Sequence, residues 1–533
     1  MNILAQLKEI KNHVLLDSNE RFFISKIKDN KRNGLAKNAS APIINALFQM
    51  PEDYFYVIFF SEVIHALSSK FNINAKWINV NSEFQRSGRS GFLKRNKFFE
   101  RKWTELYLAN GGEVSFSHIF YEKNWNSDFV KNAKELFNLL TSKEDLLNVS
   151  YKNILIGDLI YDTYLRFKPA PTVNVKDDFL KRLLIAAVHS VEEGKKLFKR
   201  DKIDYLFTSY CSYIQHGVLT RLAQTNDVKV ISFGSYDQLA KIVPLEFASH
   251  FKDYFYYKEL FGKLSESEQK IKREMARKAL ESRFKGSVDP STYYMGASAF
   301  GSVLGGTERI FKQNNKKRAM VFLHCFFDSP HIHRYMHYAD FYEWITRTLD
   351  IASETDFDFY VKSHPNAVEG NEEIVEALKL KYPKINFLPA SVKNNKLIEE
   401  GFDVAFTVYG TLGHEYPYFG IPVVNAGDNP HINYSFCIHA DSREQYEWYV
   451  RNIDKIPDVP ANAKDEILEF YYMHNYYELP GKLPMEENTF INRELRSIVD
   501  SQGLKKFVDK CAASKEYAAK VQALINKSIM DVL

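Results

Sequence analysis

Cysteine is scarce in this chain, four in 533 residues, at Cys211, Cys325, Cys437 and Cys511. None belongs to a Cys-x-x-Cys pair, which argues against a cysteine-based zinc site or a disulfide framework and favours a reducing, cytoplasmic setting. Long apolar runs are missing too: nothing approaches the ~20 residues of a membrane span, so any membrane association is expected to be peripheral. The opening residues 1–9 (MNILAQLKE) read as a charged amphipathic start and not as a signal peptide. No sign of charge dominates. The 71 Lys and Arg against 67 Asp and Glu leave a net +4, which gives no broad nucleic-acid footprint, so nucleic acid is not an expected partner. Internal repeats of 20–50 residues and low-complexity segments are also absent.

What is present bounds the architecture. This length is too great for one core, so two large domains are expected. A hydrophobic share of 45% with 26% charged residues is that of an ordinary globular protein. The 32 Tyr and 41 Phe fit carbohydrate-contacting surfaces and fit a generally Tyr/Phe-rich composition equally well.

The pattern along the chain predicts two α/β halves. Residues 1–50 read as polar and partly helical. Strand 54–60 (YFYVIFF), helix 61–71 and strand 75–80 make a βαβ unit, the building block of a parallel sheet. A strand at 149–157, a helix at 175–200, a strand at 205–208 leading into a helix with Arg221, and a strand at 228–233 continue it. The span 264–316 reads as a connector, part helix and part loop. A second alternating run follows: strand 318–323, helix 338–354, strand 356–362, helix 372–381, strand 385–387 and helix 396–400. The tail is mostly helical. The expected division is 1–263, 264–316, 317–461 and 462–533.

The chemistry concentrates in the second half. Strand 402–408 leads into Tyr409-Gly410-Thr411-Leu412-Gly413-His414-Glu415, then Gly420-Ile421-Pro422 and another apolar strand. Glycines at such a turn let backbone N–H groups approach a phosphate, and a helix start adds a favourable dipole. Glu415, one turn into that helix, is placed to accept hydrogen bonds from ribose hydroxyls. Upstream, strand 356–362 ends in Lys362-Ser363-His364-Pro365. Ligands of open α/β sheets bind outside the carboxyl ends of strands. Both elements present their polar residues there, and together they suggest a nucleotide-sugar site.

Lys-x-His-Pro followed by Gly-Thr…Glu…Gly-x-Pro resembles the C-terminal half of GT-B glycosyltransferases that build bacterial capsules and lipopolysaccharides. It is most similar to the Kdo-transferase-like capsule synthesis proteins, whose donors are CMP-activated acidic sugars. The resemblance spans roughly 318–440, and the order and spacing of the two motifs make it moderately specific. It implies an α/β GT-B fold, two Rossmann-like domains facing a central cleft, with the acceptor in the first domain and the nucleotide-sugar donor in the second. By the same resemblance, Lys362 and His364 face the donor phosphate, Gly410 and Thr411 cradle it, and Glu415 holds the ribose. The implied partners are a nucleotide-sugar donor and a glycan or lipid-linked acceptor. Contact with a polysaccharide assembly complex or the inner face of the bacterial inner membrane is peripheral, and no cofactor is implied. A UDP-sugar transferase, a sugar-nucleotide epimerase and a non-catalytic scaffold are the alternatives.

The loop closing strand 318–323 carries His324, Asp328, His331, His333 and Arg334. An acidic donor would favour imidazoles and Arg334 facing a carboxylate or phosphate. His333 and His337 stand four apart like a helical zinc pair, but Arg334 occupies the place where the metalloprotease motif needs Glu. Asp356-Phe357-Asp358 has the form of the GT-A metal motif, yet it opens its strand and so lies at the wrong end. No metal site is therefore expected and the enzyme is expected to be metal-independent, with Lys362, imidazole and the helix start replacing the divalent ion that would offset the departing phosphate's charge.

The acceptor side has three candidates. Asp158 and Asp162 stand four apart, on one helical face if helical, and suit a base in an inverting enzyme or a nucleophile in a retaining one, or are a capping and a surface aspartate. His216, in a polar loop after strand 205–208, is an acceptor contact, a base or a structural histidine. The basic, aromatic-interleaved run 86–103 would suit an anionic glycan, a lipid-linked acceptor or a membrane surface, or is a solvated loop.

Overall fold

The computed structural model describes residues 15–34, 40–80, 97–116, 125–168, 170–233, 235, 238–244, 253–288, 298–301, 309–332, 335–364 and 369–533, with side chains 30–34, 97–100 and 116 excepted. His333, Arg334 and most of the basic run 86–103 lie outside the described residues. Two compact units result. Unit 1 comprises Met1–Phe167, Val175–Phe251 and Glu478–Leu533, and unit 2 comprises Lys168–Asn174 and Lys252–Tyr477.

Each unit is built on a six-stranded sheet. Unit 1 holds β1 (Ile43–Met50), β2 (Asn72–Asn79), β3 (Glu113–Phe116), β6 (Tyr205–Thr208), β7 (Lys229–Ser232) and β8 (Lys241–Ile242), with β4 (Ser150–Tyr151) and β5 (Ile154–Leu155) as a separate small hairpin. The spatial order is β3-β2-β1-β6-β7-β8. Unit 2 holds β9 (Arg318–Phe322), β10 (Asp358–Lys362), β11 (Asn386–Leu388), β12 (Val404–Thr407), β13 (Val423–Asn425) and β14 (Ile438–His439), in the order β11-β10-β9-β12-β13-β14. Both orders are the doubly wound one, in which the chain reverses direction beside its first strand. Every pairing in the two sheets is parallel except β7 with β8. The reversal falls between β1 and β6 in unit 1 and between β9 and β12 in unit 2, and there the carboxyl ends of the strands open a crevice.

The sequence pattern misassigns the first βαβ unit. Residues 54–60 are not a strand but the first half of a helix, Tyr54–Ser68, whose Asp53 cap accepts from the Phe55 N–H. The first strand is instead β1, inside the stretch read as polar and partly helical. The helix is buried on several sides because helices Met485–Arg496 and Lys515–Met530 of the C-terminal tail pack on it. Burial all round removes the polar face that marks a helical period. Similarly, 149–157 is not one strand but the β4–β5 hairpin, followed by the helix Gly157–Phe167.

The span expected to connect the halves falls inside unit 2. Its helix Glu266–Phe284 opens with a capping box at Ser265 and packs along the helix Ala463–Asn475. The tail divides at Tyr477. Its last three helices join the unit 1 core through Ile491, Leu495, Leu504, Ile525 and Ile529.

Candidate functional site

The reversal point of unit 2 gathers most of the expected donor residues. β10 delivers Lys362 at its last position, and β12 leads through Val408 and Tyr409 into Gly410 and the seven-residue helix Leu412–Tyr418. Lys362 is 3% exposed. Among the described residues no oxygen hydrogen-bonds its Nζ. Desolvation, helped by the nearby Lys393 ammonium and opposed by Glu415, pushes its pKa down to about 8. His364, half-buried, is also shifted down by desolvation, with Asp328 acting against that shift and Lys362 adding to it. Asp328 is exposed and its Oδ1 accepts from the Ser329 N–H at 2.9 Å. Lys362, His364, Asp328 and Glu415 are thus one electrostatic neighbourhood.

Glu415 is 1% exposed and is already engaged. Arg283, from the end of the helix Glu266–Phe284, reaches its Oε1 through Nε at 2.7 Å and Nη2 at 2.6 Å. The same Nη2 lies 3.4 Å from Thr411 Oγ1. One guanidinium therefore ties together the two residues expected at the phosphate and the ribose. Oε2 of Glu415 forms no hydrogen bond among the described residues and keeps its accepting capacity. Sequence reasoning missed Arg283, because an arginine in the last turn of a charged helix reads as ordinary solvated surface. It also missed Lys393, whose Nζ donates to the Ser298 carbonyl at 2.9 Å.

His324 stands at the crevice but in a different role from the one expected. Its Nε2 accepts the Tyr409 N–H at 3.1 Å and the Val408 N–H at 3.3 Å, with Thr407 Oγ1 at 3.1 Å. Its ring stacks on Phe341 at 4.6 Å. Desolvation pushes its pKa down to about 3. It is therefore a neutral pin joining the ends of β9 and β12, not a cation facing a donor carboxylate. His331 lies on the short turn Pro330–Ile332. Asp358 opens β10 and accepts from Asn314 Nδ2 at 2.7 Å, at the strand end away from the crevice.

Two glycines allow close packing here. A Cβ on Gly413 would stand 2.2 Å from Nε2 of His431, so only glycine lets that ring lie against the turn. A Cβ on Gly410 would meet Thr407 Oγ1 and Leu412 at 3.2 Å.

The reversal point of unit 1 is differently furnished. Gln49 is the penultimate residue of β1, Ser209 follows β6, and His216 lies on the helix Tyr213–Gln224, not in a loop. Oε1 of Gln49 accepts from His216 Nδ1 at 2.8 Å, and from the Ser209 N–H and Oγ at 3.3 and 3.2 Å. Desolvation brings the His216 pKa down to about 3, so the ring is neutral. Tyr213, which opens this helix, holds φ at 62°, a left-handed conformation uncommon for a bulky residue. Asp158 and Asp162 share the helix Gly157–Phe167. Asp158 is clamped by Arg221 at 2.6 and 2.5 Å, while Asp162 is buried and acts electrostatically on the same arginine. At the described end of the basic run, Lys102 is buried and pairs with Glu20 at 2.5 Å.

No protein family and no curated protein matches the sequence. Among solved structures, a UDP-N-acetylglucosamine 2-epimerase aligns over 80% of this chain and 91% of its own, at 9% identity and a TM-score of 0.22. The UDP-GlcNAc 2-epimerase of Methanocaldococcus jannaschii, in complex with UDP-GlcNAc and UDP, aligns over 80% and 97%, at 13% and 0.21. The glycosyltransferase VinC, in complex with dTDP, aligns over 81% and 95%, at 6% and 0.21. TM-scores of this size relate neither residues nor sites, and the class rests on the strand order itself. Two Rossmann-like α/β units in one chain are consistent with the GT-B fold. No helix among the described residues is long and apolar enough to cross a membrane.

Proposed function

We propose that the chain is a glycosyltransferase that takes a sugar from a nucleotide-activated donor held by unit 2 and passes it to a growing surface polysaccharide or a lipid-linked acceptor. Lys362 carries this reading. A buried ammonium with no hydrogen-bonded oxygen is costly, and a donor phosphate outside the end of β10 would relieve that cost. His364 and the Gly410–Thr411 turn flank the same position, and Oε2 of Glu415 is the acceptor left for a ribose hydroxyl.

The favoured donor is a CMP-activated acidic sugar such as CMP-Kdo. Glu415 is matched by Arg283, so Lys362 and Lys393 stand beside it as two positive charges, with the exposed Asp328 on the His364 side as the opposing carboxylate. One phosphate and one sugar carboxylate match them. The two phosphates of a UDP-sugar carry comparable charge, and the same count favours that donor class as the second reading, for a transferase or an epimerase. When the glycosidic bond to the nucleotide breaks, negative charge grows on the leaving phosphate. The Lys362 ammonium, already in place in a desolvated site, offsets that charge without a divalent ion on the phosphate.

On the acceptor side the candidates are Asp158, Asp162 and His216. His216 donates Nδ1–H to Gln49, which leaves the Nε2 lone pair to receive an acceptor hydroxyl proton. Asp158 is held by Arg221, and Asp162 is the carboxylate one turn away. We place the enzyme in the cytoplasm, with peripheral contact at the inner face of the bacterial inner membrane. A thermal-shift screen of CMP, UDP, GDP and CDP tests the reading. Stabilisation by CMP beyond UDP is expected, stabilisation by UDP alone would transfer the assignment to UDP-sugars, and no response to any nucleotide would favour a scaffold.

A further inference from the structure

The segment after β13 folds back so that His431, Cys437 and His439 come together behind the Gly410–Glu415 turn. Their ligand atoms all lie within 4.8 Å of one another. His431 and Cys437 are buried, and His439 is half-buried by exposure. Nε2 of His439 and both ring nitrogens of His431 make no hydrogen bond of normal geometry, with the Gly410 backbone as a polar neighbour of the His431 ring. Buried polar atoms left in this way cost free energy unless a partner arrives. Asn425, the last residue of β13, donates through Nδ2 to Cys437 Sγ, and its Oδ1 is likewise buried without a partner.

We propose that His431, Cys437 and His439 bind a zinc ion, with Asn425 Oδ1 or a water completing a tetrahedron. Two imidazoles and a thiolate are a donor set suited to Zn²⁺, with Zn–N near 2.0–2.1 Å and Zn–S near 2.3 Å. Those bond lengths require donor atoms roughly 3.5 Å apart, so closing onto the ion takes side-chain rotations of about 1 Å. Asn429 Nδ2 lies 3.5 Å from His439 Nδ1, at the long limit of a hydrogen bond, and the His431 backbone is a further polar neighbour of that ring. Cys437 lies too far in sequence from any other cysteine to give the Cys-x-x-Cys signal by which such sites are usually read.

The ion's role is structural. His431 lies against Gly413, so a metal on His431 would hold the turn that carries Thr411 and Glu415, while the donor phosphate stays with Lys362. The inference does not rest on the nucleotide reading. Its test is metal content, independent of any nucleotide response.

Wild-type protein from zinc-supplemented cells, purified without chelator, should carry about one equivalent of zinc by mass spectrometric metal analysis. Replacement of zinc by Co²⁺ should give a thiolate-to-cobalt charge-transfer band, which only a cysteine ligand produces. Cys437→Ser should abolish the band, and His439→Gln should lower bound zinc at least tenfold, while Cys511→Ser leaves both unchanged. Should Cys437→Ser fail to fold, the wild-type cobalt spectrum and the His439→Gln metal content decide the matter alone. Zinc well below stoichiometry together with no charge-transfer band in the wild type would overturn the proposal. Full zinc content retained in His439→Gln would overturn it as well.

Discussion

Units 1 and 2 repeat one strand order and place different electrostatics at the same topological point. In unit 1 the crevice between β1 and β6 is neutral: Ser209 and an uncharged His216 both hydrogen-bond Gln49, and nearby Asp158 is matched by Arg221. In unit 2 the crevice between β9 and β12 carries Lys362 and Lys393, with Glu415 matched by Arg283 and the exposed Asp328 acting on His364. Strand order thus fixes where a ligand would lie, and side chains decide which ligand. A crevice with excess positive charge suits a phosphate. A neutral, hydrogen-bonding one suits a sugar hydroxyl.

The sharpest way to test that contrast is to remove the hidden counter-ions. Arg283→Ala leaves Glu415 charged and buried, and breaking such a pair costs about 3–5 kcal/mol. Chemical denaturation should show a loss of that size, with Glu415→Gln added to the same chain recovering part of it. Arg221→Ala in unit 1 should cost less, because Asp158 retains 15% side-chain exposure and water can solvate it. Equal losses in the two variants would remove the distinction between a sealed and an open pair.

Next in size is the loss of the crevice charge. Lys362→Ala should lower turnover by ~10²-fold, about 2.7 kcal/mol of transition-state stabilisation. The folded state should be no less stable, since a desolvated ammonium is removed. His216→Ala should spare nucleotide-induced stabilisation altogether. If Lys362→Ala keeps full nucleotide stabilisation, the crevice of unit 2 is not the phosphate site.

Gly413→Ala should be milder. Its Cβ would stand 2.2 Å from His431, and forced overpacking of this kind typically costs about 1–3 kcal/mol. A drop in melting temperature is expected, together with weaker nucleotide stabilisation, because the turn carrying Thr411 and Glu415 must shift. A variant as stable as the parent would mean that the His431 ring moves aside freely.

These predictions also mark what the sequence could and could not convey. Strands 205–208 and 318–323 were legible because short apolar runs bounded by polar turns leave few alternatives. So was the joining of Lys362 with Glu415, which follows once β10 and β12 are both assigned to one parallel sheet. The helix at Tyr54–Ser68 was not legible, since its partners arrive from residues more than four hundred positions away and erase its polar face. The Pro51-Glu52-Asp53 cap was the available local signal. Arg283 was invisible for a related reason: what it meets depends on how the helix Glu266–Phe284 docks, and no local pattern encodes that. His324 was found as a residue but misjudged in its chemistry. Its neutral state comes from burial, with His364 acting in the same direction, and its Nε2 accepts backbone N–H groups at β12's exit, a setting only the fold supplies.

The smallest expected effect is a pH dependence that separates the two crevices. Lys362 has a folded pKa of about 8, below the 10.5 of an ordinary lysine. Between those values the unfolded chain binds the proton and the native protein does not, so this group makes stability rise with pH across that window. Below about 8 both states are protonated, and the burial penalty is constant. Nucleotide binding must run the other way, because only the ammonium attracts phosphate. The CMP-induced shift in melting temperature should therefore hold steady up to about pH 8 and decline above it, falling severalfold by about pH 9.5. His216 has already lost its proton far below this range and contributes no step. Lys362→Met should show a small, flat CMP response across the same range. A wild-type response that is equally flat would mean that the anion is held by Arg283 or the backbone of the turn, and that Lys362 is a buried structural lysine.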